Sequence, residues 1–189
     1  MKKTFPVLLT TLILMQFPAL AEPQDELKPA TKEARVNSNN SLQDIIIKSE
    51  VQTAISMLAS VNSKVISKEL TLDQAKKLGA DLLRDLRYGD DKEGYFFADT
   101  AEGLNVVLYG RKDVEGINRY NANLHGVYYV KEFIAKGRQG GGYTDYWFPK
   151  KDGKDPLRKR SYTLLFEPFE WVVGTGYYLD EETTPKREP

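Results

Sequence analysis

The period of the apolar residues changes within the segment 83–97, and this change divides the chain into a helical part and a β part. Before it, apolar residues recur at steps of three and four; after it, they alternate. Gly89 is predicted to end the last helix in the left-handed conformation. Tyr95 and Phe97 are expected to point to one face of the first strand, and Phe96 to the other. The change predicts an α+β protein whose helices and strands are separate along the chain.

Two amphipathic helices are predicted before the change of period. The first is capped by Ser41, runs to about Ser67 and carries a long apolar stripe. The members of this stripe are Ile47, Val51, Ala54, Leu58, Val61 and Val65. The second helix begins at a capping box formed by Thr71 and Gln74 and ends near Leu86. The stripe is expected either to pack on the sheet or to pair with a second copy in a homodimer.

Five strands are predicted after the change of period, with one short helix at 127–136 between the second and the third. The strands are 95–99, 104–109, 143–149, 160–167 and 170–179. Turn residues separate successive strands, which is typical of antiparallel neighbours. We therefore expect a five-stranded antiparallel sheet with the helices packed on it.

The N-terminus predicts an export signal. Lys2 and Lys3 precede a mostly apolar run at 7–17, and Ala19-Leu20-Ala21 is a small-x-small cleavage site. Cleavage would make Glu22 the first residue of a secreted, periplasmic protein without a membrane span. The alternative is an uncleaved anchor.

These patterns divide the chain into four segments. They are a signal peptide at 1–21, a flexible polar leader at 22–40, one domain at 41–180 and a charged tail at 181–189.

Composition excludes several function classes. The chain has no cysteine, so disulfides, thiol catalysis and Cys-ligated metals are excluded. Lys+Arg and Asp+Glu are both 27, which gives no basic field for nucleic acid. The single histidine, His125, cannot form a histidine cluster for a metal, and no Gly-x-Ser-x-Gly motif accompanies it. We expect neither catalysis nor a metal or other cofactor, and a hydrolase is the weakest of the hypotheses.

Several motifs in combination resemble those of single Cache domains, the PAS-like extracellular sensor modules of bacterial chemoreceptors and histidine kinases. Leu86-Arg-Tyr-Gly89 followed by Gly94-Tyr-Phe-Phe97 resembles the family's helix-to-strand junction, and Lys159-Arg-Ser-Tyr162 resembles its Lys-x-Ser-Tyr strand. The other matching segments are 69–75, 140–149 and 169–180. The resemblance covers about residues 42–180 and implies a domain that binds a small molecule.

The chain also departs from the family pattern near the expected pocket. The region of a frequent His-Pro pair reads Val107-Leu-Tyr-Gly110, and an Asp-x-Asn-Gly turn reads Asn123-Leu-His-Gly126. These departures leave the ligand class open. A second membrane span and a signalling domain are not recognisable downstream, so we expect a free-standing member that acts through a separate partner.

Candidate ligand-binding residues combine cations, aromatics and one histidine. They are Arg87, Tyr88, Tyr95, Phe97, His125, Trp147, Lys159 and Tyr162. Arg87 is expected at the pocket mouth, where a guanidinium can hold a carboxylate through two hydrogen bonds. The alternative is a surface arginine paired with Asp90 or Asp91. Lys159 would be a second cation or a solvated hairpin residue, and His125 a loop residue or a hydrogen-bond donor to the ligand.

The aromatic candidates are expected to wall one cavity, with Tyr95, Phe97, Trp147 and Tyr162 around it. The alternative is ordinary core packing. Together these residues favour a non-enzymatic sensor domain for a short organic carboxylate, acting in signal transduction or chemotaxis through a membrane-bound receptor or kinase. The second hypothesis is a ligand-free interaction module that docks on such a partner.

Overall fold

The computed structural model describes residues 31–151 and 153–179. The predicted export signal, the first part of the leader and the charged tail lie outside these residues. The described chain forms three helices, α1 (Lys32–Ile66), α2 (Leu72–Asp85) and α3 (Tyr129–Arg138).

Helix α1 begins well before Ser41, so the predicted cap at Ser41 is wrong. The Ser41 hydroxyl donates to the Asn37 carbonyl one turn earlier, at 2.9 Å, as serines inside helices do. The part of the predicted leader from Lys32 onward is therefore helical. Sequence favours the later start because the apolar stripe begins there, whereas the first turns of α1 carry mostly polar residues.

Helix α2 begins as predicted, because Thr71 and Gln74 form the reciprocal capping box. It ends at Asp85, and Leu86 is already extended with φ −67° and ψ 130°. The prediction that Gly89 ends the helix is wrong. Gly89 has φ +82° in the turn between two short paired strands, so its left-handed conformation serves a hairpin.

That hairpin consists of β1 (Arg87–Tyr88) and β2 (Gly94–Tyr95) and forms a separate two-stranded sheet. The main sheet contains β3 (Phe97–Thr100), β4 (Asn105–Leu108), β5 (Gly142–Pro149), β6 (Pro156–Phe166) and β7 (Trp171–Tyr178). Its strand order is β4-β3-β7-β6-β5, and every neighbouring pair is antiparallel. The predicted α+β fold, with a five-stranded antiparallel sheet, is confirmed.

Each face of the sheet has its own helical layer. Helices α1 and α2 cover one face, where Leu58, Leu83 and Phe96 are buried together. Helix α3 covers the other face, where Phe97 and Phe133 meet with ring centroids 5.0 Å apart. Phe96 and Phe97 thus point to opposite faces, as the alternation predicts.

The apolar stripe of α1 packs on the sheet. Ile47, Val51, Ala54, Leu58 and Val61 are all buried within this one chain. Each buried Ile, Val or Leu side chain contributes about 1.5–3 kcal/mol when it leaves water. The stripe is therefore core rather than a free dimer surface, and homodimerisation stays a prediction.

Candidate functional site

A small cavity lies between the sheet and α3. Its volume is about 10 Å³, which is room for about one water molecule. Strands β2 to β6, helix α3 and the segment before α3 all contribute to its wall. The lining residues are Tyr95, Phe97, Asp99, Leu108, Arg119, Tyr129, Phe133, Tyr146, Phe148 and Lys159.

Lys159 is the most buried cation of the cavity wall. Alternation along β6 turns its side chain to the α3 face, where it is only 1% exposed. Its ammonium group donates to the Tyr95 hydroxyl at 2.6 Å and lies 4.3 Å from the centroid of that ring. Within the described residues, no carboxylate oxygen lies within 4.0 Å of Nζ. A buried ammonium without a counter-ion is costly, so this geometry suits an anionic ligand.

Arg119 brings a second cation to the wall from the segment between β4 and α3. Its guanidinium donates to the Tyr129 hydroxyl at 2.8 Å and lies 5.6 Å from the centroid of the Tyr129 ring. The side chain is half-buried. Two cationic groups therefore border one cavity, Lys159 on the sheet and Arg119 on the opposite, loop side.

Asp99 is the only carboxyl among the residues that line this cavity, and it is 2% exposed. Asn105 donates to its Oδ1 at 2.9 Å. The pairing of β3 with β4 shifts register between Ala98 and Asp99, so Val106 is an extra residue and Asn105 lies opposite Asp99. Burial raises the pKa of Asp99 to about 6, against the opposing effects of Asn105 and Arg119.

Aromatic rings close the remaining sides. Tyr146 stacks on Tyr129 with centroids 5.2 Å apart, and its hydroxyl shares a hydrogen bond with Ser161 at 3.0 Å. Burial raises the pKa of Tyr146 well above its usual range, so its phenol stays neutral. The cavity thus combines two cations and one carboxyl with rings that leave little space, which suits a small, mainly apolar anion.

The structure brings three of the eight predicted site residues together at this cavity: Tyr95, Phe97 and Lys159. Tyr162 instead faces α1, where it packs with Ile47, Val51 and Tyr143. Of the four aromatic residues expected around one cavity, only Tyr95 and Phe97 line it.

Trp147 is separated from the cavity by the alternation of β5. Its neighbours Tyr146 and Phe148 line the cavity, and the Trp147 side chain points the other way. The Trp147 ring lies 5.2 Å from that of His125, which is exposed. Neither residue lines the cavity.

Arg87 also lies away from the cavity. Its guanidinium donates to the carbonyls of Arg84 and Leu86 at 2.8 and 2.6 Å and stacks 3.6 Å from the centroid of the Tyr109 ring. The Arg87 side chain therefore caps the C-terminal end of α2 and does not pair with Asp90 or Asp91. Tyr88 bonds Thr175 at 2.7 Å, and burial raises its pKa to about 12.

A larger groove of about 600 Å³ lies on the far side of Tyr95. The N-terminal half of α1, the β1–β2 hairpin and the end of β7 form its walls. Tyr95 lines both spaces, and the Tyr178 ring, also in the groove, lies 5.1 Å from the Lys159 ammonium. Tyr95 and Tyr178 therefore stand between the cavity and the groove.

Sequence reasoning missed most of the cavity wall. Asp99, Arg119, Tyr129 and Tyr146 are functional candidates that the apolar pattern does not single out. One signal was present: Asp99 follows Phe96-Phe97-Ala98 in a strand predicted to be buried, where a carboxyl is unusual. Within residues 31–151 and 153–179, no cluster of His, Asp or Glu is placed to hold a metal ion.

The sequence model of the family described as single Cache domain 2 matches residues 40–185. The chain belongs to this family. Among curated proteins, the chain is 31% identical over 180 residues to sensor histidine kinase MctS of Rhizobium johnstonii, covering 92% of this chain. It is 28% identical over 135 residues to methyl-accepting chemotaxis protein McpP of Pseudomonas putida, covering 69% of this chain.

The chain spans about a third or less of these relatives, 35% of the kinase and 24% of the chemotaxis protein. It is thus homologous to part of a sensor kinase and part of a chemotaxis receptor. None of the helices in the described residues combines the length and apolar character that crossing a membrane requires.

Solved structures show the same fold. A periplasmic sensor domain of a chemotaxis protein superposes with a TM-score of 0.69 and 26% identity, covering 75% of this chain and 97% of that one. A Cache chemosensory domain described for carboxylic acid recognition gives 0.68 and 24%, covering 80% of this chain and all of that one (100%). The resemblance implied by the sequence motifs is confirmed.

Proposed function

We propose that this Cache domain binds a short organic carboxylate in the cavity beside α3 and reports it to a separate signalling partner. The observation that carries the proposal is Lys159, a buried cation whose one hydrogen bond among the described residues is to Tyr95. An ammonium group can donate three hydrogen bonds, so two donors remain for a ligand. The structure described for carboxylic acid recognition, which shares this fold, adds support by analogy.

The charges of the wall fit one anion. Lys159 and Arg119 carry two positive charges, and Asp99 when ionised carries one negative charge. The surplus is one positive charge, which a monocarboxylate neutralises. Each charge-assisted hydrogen bond to the carboxylate is worth about 1.5–3 kcal/mol. The guanidinium group of Arg119 can donate two parallel hydrogen bonds to one carboxylate.

The small volume of the cavity limits the size of the ligand. The space of about 10 Å³ holds one water, so even a two-carbon acid must displace part of the wall. Arg119 is the wall residue best placed to move, because its side chain is half-buried. It also lies between β4 and α3, in a segment whose only helical turn among the described residues is Lys112–Val114. Short acids are therefore favoured over long ones.

A route from the cavity to α1 runs through β6. Lys159 faces the cavity, and the next residue, Arg160, faces the opposite side, where it donates to Asp44 of α1 at 2.9 Å and Asp145 of β5 at 2.7 Å. Tyr177 also donates to Asp44, at 3.1 Å. A displacement of Lys159 on binding would be transmitted to α1 through Arg160. Helix α1 would thus report occupancy to a membrane-bound receptor or kinase, in chemotaxis or another signalling pathway.

The proposed site of action is the periplasm, reached through cleavage after Ala21. Support comes from the basic, apolar and Ala-Leu-Ala segments of residues 1–21 and from relatives that are sensor proteins. Mass spectrometry of the exported protein should find Glu22 as its first residue. An intact N-terminus in the membrane fraction would contradict this proposal.

The second candidate is a ligand-free module that docks on a receptor or kinase. It is favoured by the nearly filled cavity and by the exposed apolar side chains Leu42, Ile45 and Ile46 in the N-terminal half of α1. Under this hypothesis no small molecule stabilises the fold.

A ligand screen by thermal unfolding separates the two candidates. Acetate, propionate and butyrate are compared with the matched amines ethylamine and propylamine at equal ionic strength. A carboxylate present at 100 times its dissociation constant should stabilise the folded protein by about 2.7 kcal/mol. The amines should give no shift, because the surplus charge of the wall is positive. If no carboxylate raises the unfolding temperature at millimolar concentration, the docking module is the better description.

A further inference from the structure

The groove of about 600 Å³ beside the β1–β2 hairpin has a volume typical of a ligand site, and the carboxylate proposed above does not use it. Its wall contains Ile46 and Ile47 of α1 and a set of tyrosines. The tyrosines are Tyr88, Tyr95, Tyr109, Tyr177 and Tyr178. Each of their hydroxyls is already hydrogen-bonded within the protein. The tyrosines therefore offer the groove mainly the apolar surfaces of their rings, which suit an apolar or aromatic side chain.

One wall of the groove includes an open edge of the main sheet. On the side of β7 away from β6, the pairing with β3 ends at Gly174, and no further strand of the described residues pairs there. The N–H of Leu179 donates to the carbonyl of Arg158 in β6 at 2.9 Å. Because successive residues of a strand direct their backbone groups to opposite sides, those of Gly176 and Tyr178 point away from β6. Both residues line the groove, so their backbone groups can pair with an extended peptide.

Opposite charges line the groove on two different segments. The hairpin contributes Asp90, Asp91 and Glu93, and the segment after β5 contributes Lys150 and Lys151. Across residues 31–151 and 153–179, none of these three carboxylates forms an ion pair. The Lys150 ammonium lies 5.4 Å from the centroid of a tyrosine ring of the groove. A dipolar ligand can therefore place its positive end at the hairpin and its negative end at Lys150.

We propose that this groove binds a short zwitterionic peptide, of about two or three residues, that carries an aromatic side chain. The peptide backbone pairs with the edge of β7, and the aromatic side chain lies on the tyrosine rings. The amino terminus faces the hairpin carboxylates, and the carboxyl terminus faces Lys150. A single amino acid has both charges but no internal peptide group for the edge of β7. The groove lies outside the cavity beside α3, so the inference does not depend on the carboxylate proposed there.

Calorimetric titration of the exported protein with alanyl-phenylalanine tests the proposal. The comparison ligands are its N-acetylated form, its C-terminal amide, the doubly blocked peptide and free phenylalanine. The free dipeptide should bind most tightly, and each single block should weaken binding by about two- to fivefold, because it removes one charge contact at a partly exposed site. The doubly blocked peptide mimics an internal segment of a protein. If it binds as tightly as the free dipeptide, or if no form binds at millimolar concentration, the proposal is wrong.

The variant Lys150→Met locates the carboxyl end of the peptide. The free dipeptide and its amide should bind this variant equally, because the partner of the carboxylate is gone. The matched control is Lys154→Met, since Lys154 is also exposed but does not line the groove, and it should keep the wild-type difference. An undiminished effect of amidation in Lys150→Met would contradict the assignment.

The amino end is located by combining Asp90→Asn, Asp91→Asn and Glu93→Gln. In this triple variant, N-acetylation should no longer weaken binding. The matched control is Asp113→Asn, because Asp113 is an exposed aspartate outside the groove, and it should keep the effect of acetylation. All three hairpin residues are exposed, so the unfolding temperature should stay close to that of the wild type. If the triple variant does not fold, the Lys150→Met comparison decides.

Discussion

Replacement of Lys159 by methionine should weaken carboxylate binding by about 100-fold or more without unfolding the protein. Methionine has a similar length and flexibility but carries no charge. Removing one charge-assisted hydrogen bond costs about 1.5–3 kcal/mol of binding free energy, which is a loss of about 10- to 150-fold. Lys159 has two donors free for the ligand, so the loss should lie at or beyond the upper end.

The stability of the unliganded variant tests the same reasoning from the other side. Lys159 is 1% exposed, and a buried charge without a counter-ion costs several kcal/mol in folding. The variant leaves the Tyr95 hydroxyl without its donor, which costs about 1–3 kcal/mol. The two effects oppose each other, so urea unfolding should show a free energy of unfolding equal to or above that of the wild type.

Lys154→Met is the matched control, because Lys154 is exposed in the loop before β6. It should change neither the affinity for carboxylates by calorimetry nor the free energy of unfolding by more than about 0.5 kcal/mol. Binding by Lys159→Met within twofold of the wild type would refute the role assigned to Lys159. A loss of more than about 3 kcal/mol of stability would show that Lys159 is a structural residue instead.

Two further predictions concern stability. The pKa of Asp99 is about 6 in the folded protein against an ordinary value of 3.8, so between pH 4 and 6 the folded state binds a proton that the unfolded state does not. Ionisation of Asp99 therefore lowers the free energy of unfolding by up to about 3 kcal/mol as pH rises through this window. Urea unfolding at several pH values should show this decrease in the wild type relative to Asp99→Asn. If the two slopes agree, the burial of Asp99 has no such effect. Leu58→Ala should cost about 2–5 kcal/mol, because Leu58 is fully buried, whereas Leu42→Ala on the exposed side of α1 should cost less than about 1 kcal/mol. Similar losses in both variants would contradict the packing of the α1 stripe on the sheet.

Local patterns predicted the parts of the fold that local physics determines. The capping box formed by Thr71 and Gln74 correctly predicted the residue at which α2 begins, because both of its hydrogen bonds lie within a segment of four residues. The alternation of Phe96 and Phe97 predicted that their side chains meet opposite faces of the sheet, because alternation is also a local property of the chain. The start of α1 was not predictable in this way, because its first turns carry no apolar stripe and Ser41 has the same sequence signature inside a helix as at its cap.

The second cation of the site shows the limit of local reasoning. Arg87 stands beside recognisable motifs, yet it stacks on Tyr109 and caps carbonyls at the end of α2. Arg119 stands in a segment without periodicity, yet its contact with Tyr129 of α3 brings it to the cavity. Which arginine reaches the site depends on how the segment between β4 and α3 folds back, and no spacing in the sequence encodes that path.

The separation of Trp147 and Tyr162 from Lys159 depends on the register between strands. Alternation fixes which residues of one strand share a face, so Trp147 must oppose Tyr146 and Tyr162 must oppose Ser161. It does not fix which face of one strand matches which face of its neighbour, because a slip of one residue exchanges the two faces. The observed register pairs Tyr146 with Lys159, which puts these two side chains on the α3 face. The same register sends Tyr162 toward α1 and turns Trp147 away from the cavity. Aromatic residues on neighbouring strands therefore predict a pocket only once the register is known.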